Sequence, residues 1–349
     1  MTTLWYWLIA VMIAVYVLLD GFDLGAGIIH PYVARNDAEC KQALATIGPV
    51  WDGNEVWLLA AGGTLYFAFP ALYASGFSGF YLPLIIVLWL LILRGISIEF
   101  RSHIDSPVWS PLWDFLFSFS SALLAIFYGA ALGNVVRGVP LNANGYFFEP
   151  LWTNFRVGTN NGILDWYTVL VGLAAYLVLT MHGALWVAWT TDGAVKERAR
   201  QAAKWAWAGA GIFSVLISAA TFWVQPHVLE SFQERPYGWA LPLIAIAGLT
   251  GVYWFLRSPE TSGKAFVASC VFLLGMLTSV VFGVYPYVLP SSTGEGYALT
   301  IHNASAGAYG LKIGLIWWAI GMTLAAAYFT FVYRQFFGRA ARKAAQANH

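Results

Sequence analysis

Two pairs of carboxylates are set into sequence that is otherwise apolar. The first, Asp20 and Asp23 in LLDGFDLGAG, is spaced three residues apart, which puts both acids on one face of a helix. Two ionised acids so close repel, and an ionised carboxylate in hydrocarbon is costly, so at least one must keep its proton or share a cation. The second pair, Asp52 and Glu55 in GPVWDGNEVWLL, has the same spacing, with Trp51 ahead of it and Asn54 adding an amide donor and acceptor. At the first turn of a helix these acids also suit free backbone N–H groups and the positive end of the dipole. Their position favours chemistry: one pair ends a helix, the other begins the next, and both fall toward the same membrane face, where they could form a short polar entry for protons.

A cation lies within reach of both pairs. LILRGISIEFRSH carries Arg94 and Glu99, five residues apart and so poorly placed for an intrahelical pair. Arg94 is instead expected to meet Asp20, Asp23 or Asp52 on neighbouring helices, offsetting their desolvation. Asp105 and Asp114 flank the following loop, where capping or solvation is the simpler account. His182 lies deep in LVLTMHGALWVAW, but a bis-histidine haem site needs two opposed histidines. His30, His103, His227, His302 and His349 fall in loops or at ends, so the sequence predicts no haem ligand and assigns His182 to helix packing. Cys40, read as a loop residue, and Cys270 are too few for a metal cluster of their own, and no metal-binding residue is read from the sequence.

The elements that position these groups are membrane helices. Of 349 residues 59% are hydrophobic and 10% charged, against roughly 25% charged in a soluble domain. Too few charges remain to cover a water-facing surface. A bilayer needs roughly 20 apolar residues per helix, and nine segments qualify: 4–28, 52–74, 77–98, 114–137, 163–189, 204–224, 237–256, 264–288 and 309–333. The second is the weakest, because its opening is polar. With nine spans and the N-terminus outside, 14 of the 18 Lys and Arg residues fall on the cytoplasmic side and only Arg137, Arg156, Arg235 and Lys312 outside. An eight-span alternative separates the KERARQAAK loop from the RAARK tail and fits the same rule less well. Pro70, Pro83 and Pro242 fall within spans, where they could kink helices. Two external stretches, 138–162 and 290–307, have the composition of loops that close helix ends. No cytosolic segment is long enough for a nucleotide-binding domain, a net charge of +1 points to no nucleic acid, and no cleaved leader is expected.

Taken in order, DGFDLGAG at 20–27, GPVWDGNEVWLLAAGG at 48–63, FSGFYLPL at 77–84, the RG and EFRS elements around Arg94 and Arg101, and PSST at 290–293 resemble subunit II of the bd-type quinol oxidases, including the cyanide-insensitive branch. The likeness spans essentially the whole chain. It implies an all-α polytopic protein of two four-helix bundles plus one peripheral helix, in a bacterial inner membrane. The implied partner is a larger subunit I that holds the b haems and the d haem, oxidises quinol and reduces oxygen to water. Small single-span subunits, quinone and lipid are further implied partners, and no cofactor is ligated by this chain. The resemblance also implies a cytoplasmic proton path, with Asp52 as its leading residue, Asp20, Asp23, Glu55 and Asp105 as further acids, and Trp51, Asn54, Arg94 and Glu99 in support. Glu55 stands where relatives carry a neutral amide. A proton- or sodium-coupled transporter and a purely structural scaffold are the competing classes.

Overall fold

A computed structural model describes residues 1–104, 106–158 and 161–347, leaving aside the side chains of Glu295 and of 336 onward. Twelve α-helices follow one another: α1 (Thr2–Val33), α2 (Asp37–Leu44), α3 (Trp51–Ala68), α4 (Pro70–Gly79), α5 (Tyr81–Phe100), α6 (Trp109–Arg137), α7 (Trp166–Thr190), α8 (Gly193–Val224), α9 (Pro226–Glu234), α10 (Ala240–Phe255), α11 (Ser262–Val284) and α12 (Ala308–Ala347). One antiparallel pair, β1 (Tyr287–Leu289) and β2 (Leu299–Thr300), closes the loop before α12. Among the described residues eight helices are long and apolar enough to cross a membrane: α1, α5, α6, α7, α8, α10, α11 and α12, with α10 and α11 counted together with their short 3-10 entries.

The second sequence segment differs from the other eight. It divides at Phe69 into α3 and α4. Pro70 begins α4, since it lacks an N–H to continue α3 and restricts the residue before it. Pro83 and Pro242 likewise sit in the first turns of α5 and α10, where a missing N–H costs nothing, so they start helices instead of kinking them.

Several boundaries also move. The KERARQAAK stretch, read as a loop, forms the opening turns of α8, whose first residue, Gly193, has a left-handed φ of 64°. Residues 285–288, read as the end of a span, leave α11 and enter β1. Cys40 belongs to α2, whose start is fixed by the Asn36 side chain accepting from the Glu39 N–H at 3.0 Å. An eight-residue helix is invisible to a search for membrane-length segments.

Helix α1 lies at the centre, packing on α3, α6, α7 and α11; α7 continues to α8 and α6, α5 packs on α6, and α10 on α11. The closest approach is between α1 and α7. A Cβ added at Gly25 would fall on the Leu179 carbonyl, and one at Gly183 on the backbone of Gly25 and Ala26. Small residues here let two backbones touch, a main source of helix association in lipid. Across that crossing, Phe22 stacks on Trp186 with centroids 4.2 Å apart. Helix α12 runs along α1 and α3, with the Trp5 indole donating to the Leu311 carbonyl (3.2 Å) and Trp57 facing Phe329.

The Gly25–Gly183 contact has no room for a side chain. Gly183→Leu is expected to lower the yield of folded protein and to cost at least about 1–3 kcal/mol of stability, read as a lowered Tm in detergent; a Tm equal to that of the parent would show that the crossing does not hold the fold.

Candidate functional site

Three of the four acids in the two pairs, Asp20, Asp23 and Glu55, come together around Arg94 and Asn54. Asp20 and Asp23, in the second half of α1, are fully buried, as are Asn54 on α3 and Arg94 on α5. Arg94 donates to Asp20 Oδ1 at 2.5 Å and to Glu55 Oε2 at 2.9 Å. Asn54 donates to Asp23 Oδ2 at 2.8 Å and accepts from the Tyr333 hydroxyl of α12 at 3.0 Å. The Glu55 side chain is 25% exposed, so the cluster touches the surface at one point. Trp51 covers Arg94, its ring centroid 5.9 Å from the guanidinium carbon.

Two carboxylates, Asp20 and Glu55, thus share one guanidinium, and Asp23 adds a third acid held by Asn54. Their balance in a dry interior requires further positive charge, most simply protons. The two buried aspartates differ in how they could supply it. Both oxygens of Asp20 are engaged: Oδ1 by Arg94 and Oδ2 by the Tyr16 hydroxyl at 2.8 Å. Asp23 accepts from Asn54 at Oδ2 but buries Oδ1 without a hydrogen-bond partner among the described residues. An orphaned buried carboxylate oxygen is costly, and a proton on the carboxyl removes most of that cost.

Tyrosines extend the cluster. The Tyr16 hydroxyl also lies 2.8 Å from that of Tyr128 on α6, and both line an apolar cavity of about 150 Å³ between α1, α6, α7 and α11. Sequence reasoning passed over Tyr16, Tyr128 and Tyr333. The one available signal was Tyr16 itself, four residues before Asp20 and so on its helix face.

Other expected site residues lie elsewhere. Asp52 is exposed on the first turn of α3 and joins no ion pair among the described residues, and the Glu99 side chain is exposed at the end of α5. Asp105 lies outside the described residues. Asp114, expected to cap or be solvated, is instead the centre of a second cluster: it takes Arg101 Nε at 2.7 Å and His30 Nε2 at 2.8 Å, and Arg101 also donates to Asp37 at 3.0 Å. His30, read as a loop or end residue, is buried in the last turns of α1. One of its ring nitrogens, Cys40 Sγ and an Asp114 oxygen lie within 4.8 Å of one another, a donor set that the sequence reading did not assign.

His182 has both ring nitrogens engaged, Nδ1 with Ser269 Oγ at 2.7 Å and Nε2 with the Leu18 carbonyl at 2.9 Å. With the ring also stacked on Phe266, it ties α7 to α1 and α11, and neither nitrogen is left free to ligate iron. At the opposite end of α6, buried Arg137 bridges Glu149 (2.7 Å) and Asp165, which caps α7. This pins the 138–165 connection to the helix ends. Burial pushes the Glu149 carboxyl up to about 6, against the pull of Arg137.

Comparison with known proteins gives a consistent picture. A sequence model described as cytochrome bd terminal oxidase subunit II matches residues 1–336. A cytochrome bd ubiquinol oxidase subunit 2 from Bacillus subtilis (strain 168) is 32% identical over 310 residues, covering 89% of this chain and 88% of the relative. A cytochrome bd-I ubiquinol oxidase subunit 2 from Escherichia coli (strain K12) is 28% identical over 375 residues, covering 99% of this chain and 96% of the relative. Among solved structures, a chain of the bd oxidase from Geobacillus thermodenitrificans superposes with a TM-score of 0.75 at 18% identity, over 96% of this chain and 98% of the other.

Two predictions follow from these ion pairs. Arg94→Met leaves Asp20 buried without its counter-charge and is expected to cost about 3–5 kcal/mol, with Arg94→Met/Asp20→Asn recovering part of the loss; equal Tm values for the two variants would contradict the pairing. For Glu149 the folded carboxyl holds its proton to about pH 6, against an ordinary value of 4.5. The folded state therefore binds the extra proton, and stability falls by about 2 kcal/mol in all as pH rises from well below 4.5 to well above 6. Glu149→Gln is expected to flatten that part of the Tm–pH curve, and an unchanged slope would refute the assignment.

Proposed function

Because the chain belongs to the cytochrome bd terminal oxidase subunit II family, we propose that its buried acidic cluster conducts protons from the cytoplasm toward the oxygen-reducing site of the complex. The chain is the accessory subunit of a quinol oxidase, and the catalytic haems belong to its partner, subunit I. Those haems supply the electron transfer from quinol to oxygen. The residues of this chain hold and move protons.

The observation that carries this reading is the unpaired Asp23 Oδ1 beside the Arg94 cluster. Glu55, 25% exposed, is the entry. Arg94 cannot release a proton, so it acts as a fixed counter-charge that keeps the acids from being too costly when ionised. Asp23, held by Asn54, is the proton-holding group, and Asp20 passes charge to the Tyr16 and Tyr128 hydroxyls. The two hydroxyls can hand on a proton by rotating, each accepting as it donates.

Depth supports the direction. At about 1.5 Å per residue, Asp20 lies about 27 Å along α1 from Thr2, while Glu55 is in the opening turns of α3. With the N-terminus outside and the C-terminus cytoplasmic, as the basic residues indicate, all of these lie in the cytoplasmic half and Tyr128 lies deeper. That orientation counts α3 and α4 as one broken ninth span. In this reading α1, α3 with α4, α5 and α6 form one four-helix group, α7, α8, α10 and α11 a second, and α12 is peripheral, with α1 and α6 packing on α7 across the two groups. Asp52, exposed at the mouth of α3, is placed to be covered by subunit I and to deliver protons across that contact. An apolar cavity of about 340 Å³ between α1, α3, α4, α6 and α11 suits a lipid or quinone tail. A transporter would want its polar site open to both faces in turn, whereas the described cluster reaches the surface at the Glu55 end.

In the purified two-subunit oxidase, Asp23→Asn and Asp20→Asn are expected to lower quinol-driven oxygen consumption about tenfold or more, which is a barrier higher by about 1.4 kcal/mol, with the haem spectrum unchanged. Exposed Glu197→Gln serves as the control with parental turnover. Full activity in both aspartate variants would remove the cluster from the proton path.

A further inference from the structure

We propose that His30, Cys40 and Asp114 form a binding site for a zinc-class divalent metal ion at the end of the molecule where α1, α2 and α6 meet. Three elements bring the donors together: the last turns of α1, the short helix α2, and the opening turns of α6. A His30 ring nitrogen, Cys40 Sγ and an Asp114 oxygen lie within 4.8 Å of one another. Ligands about 2.0–2.3 Å from zinc in a tetrahedron stand roughly 3.5 Å apart, so side-chain rotations of about an ångström close the site. Thiolate, imidazole and carboxylate together suit zinc and its neighbours better than magnesium or calcium, which prefer oxygen.

The surroundings have the form of a metal site's outer shell. Arg101 grips Asp114 through both its Nε and an Nη, at 2.7 and 3.1 Å, and reaches on to Asp37 at 3.0 Å. Held carboxylates of this kind orient metal ligands. Helix α2 is fastened independently, by Asn36 at its start, by Lys41 on Asp37 at 2.7 Å, and by Glu39 to Arg198 of α8 at 2.6 Å. Cys40 is therefore presented to His30 by a rigid short helix. His30 is buried against Phe117 while the Asp114 side chain remains 18% exposed, so the donor set touches solvent on the Asp114 side. Binding replaces the His30–Asp114 hydrogen bond with two metal bonds; the neutral His30 ring then carries its one proton on the nitrogen facing away from the metal, and the Cys40 thiol gives up its proton to solvent as the metal–sulfur bond forms. The inference rests on this geometry and not on the oxidase reading.

The test uses the purified oxidase complex carrying no histidine tag, stripped with EDTA, loaded with zinc, and analysed for bound metal and by zinc X-ray absorption. The parent and Cys270→Ser are expected to show a zinc–sulfur shell at about 2.3 Å. Cys40→Ser should lose that shell, and His30→Asn one equivalent of zinc, with the haem spectrum of every variant unchanged. A parent without zinc–sulfur scattering, or a Cys40→Ser complex that retains it, would overturn the site.

Discussion

The buried guanidinium of Arg94 is the constraint on which the interior depends. A charge removed from water needs opposite charge and hydrogen bonds in good geometry, and here it finds Asp20 on α1 and Glu55 on α3. Because these partners come from three helices, the pairing fixes how far each has slid and turned relative to the others. Apolar packing alone discriminates poorly among such arrangements in lipid, where hydrocarbon outside the bundle is as apolar as leucine within it. The same guanidinium makes room for more acid than it neutralises. On the proposed reading, the surplus carboxylate at Asp23, whose Oδ1 has no hydrogen-bond partner among the described residues, is the group that exchanges protons.

The rest of the molecule separates support from chemistry. The Gly25–Gly183 contact brings α7 against α1, and His182 then bridges α1 and α11 with both nitrogens used. At the other end, Arg137 joins Glu149 and Asp165 and so holds the long connection between α6 and α7. The His182 contact is closed, in that both ring nitrogens are directed at structural partners, whereas the Arg137 cluster leaves Glu149 Oε2 buried without a partner among the described residues. The Arg94 cluster is open at Glu55, and the His30–Asp114 cluster is open beside Cys40. Both lie where α1 approaches the ends of α3 and α6, so the chain concentrates its exchangeable groups toward one membrane face.

How much of this could be read from the sequence depended on the range of the signal. The acid pairs and Arg94 were legible because charge is rare in membrane segments and each one needs an explanation. Their meeting was legible as well, from the order of one helix ending and the next beginning. Tyr128 and Tyr333 were not, since a tyrosine in an apolar run reads as an interface anchor, and their partners lie 112 and 279 residues away in sequence. The break at Phe69 was signalled by Pro70, but a window of membrane length averaged it away. The same window hid α2, and with it the approach of Cys40 to His30. Asn36 followed three residues later by Glu39 is a helix-start pattern that would have revealed it. Asp52 was legible from its motif, and what the sequence did not show is its exposure on the first turn of α3, apart from the Arg94 cluster.

The central claim is that Asp23 carries and exchanges a proton within the Arg94 cluster. Infrared difference spectroscopy of the oxidase complex, recorded between its oxidised and reduced states in water and in deuterium oxide, reads the carbonyl stretch of protonated carboxylic acids directly. The account predicts a deuterium-sensitive carboxylic acid band that disappears in Asp23→Asn and shifts when Asn54 is replaced by Leu. A band unaltered in Asp23→Asn would contradict it and would leave the cluster as a structural ion pair.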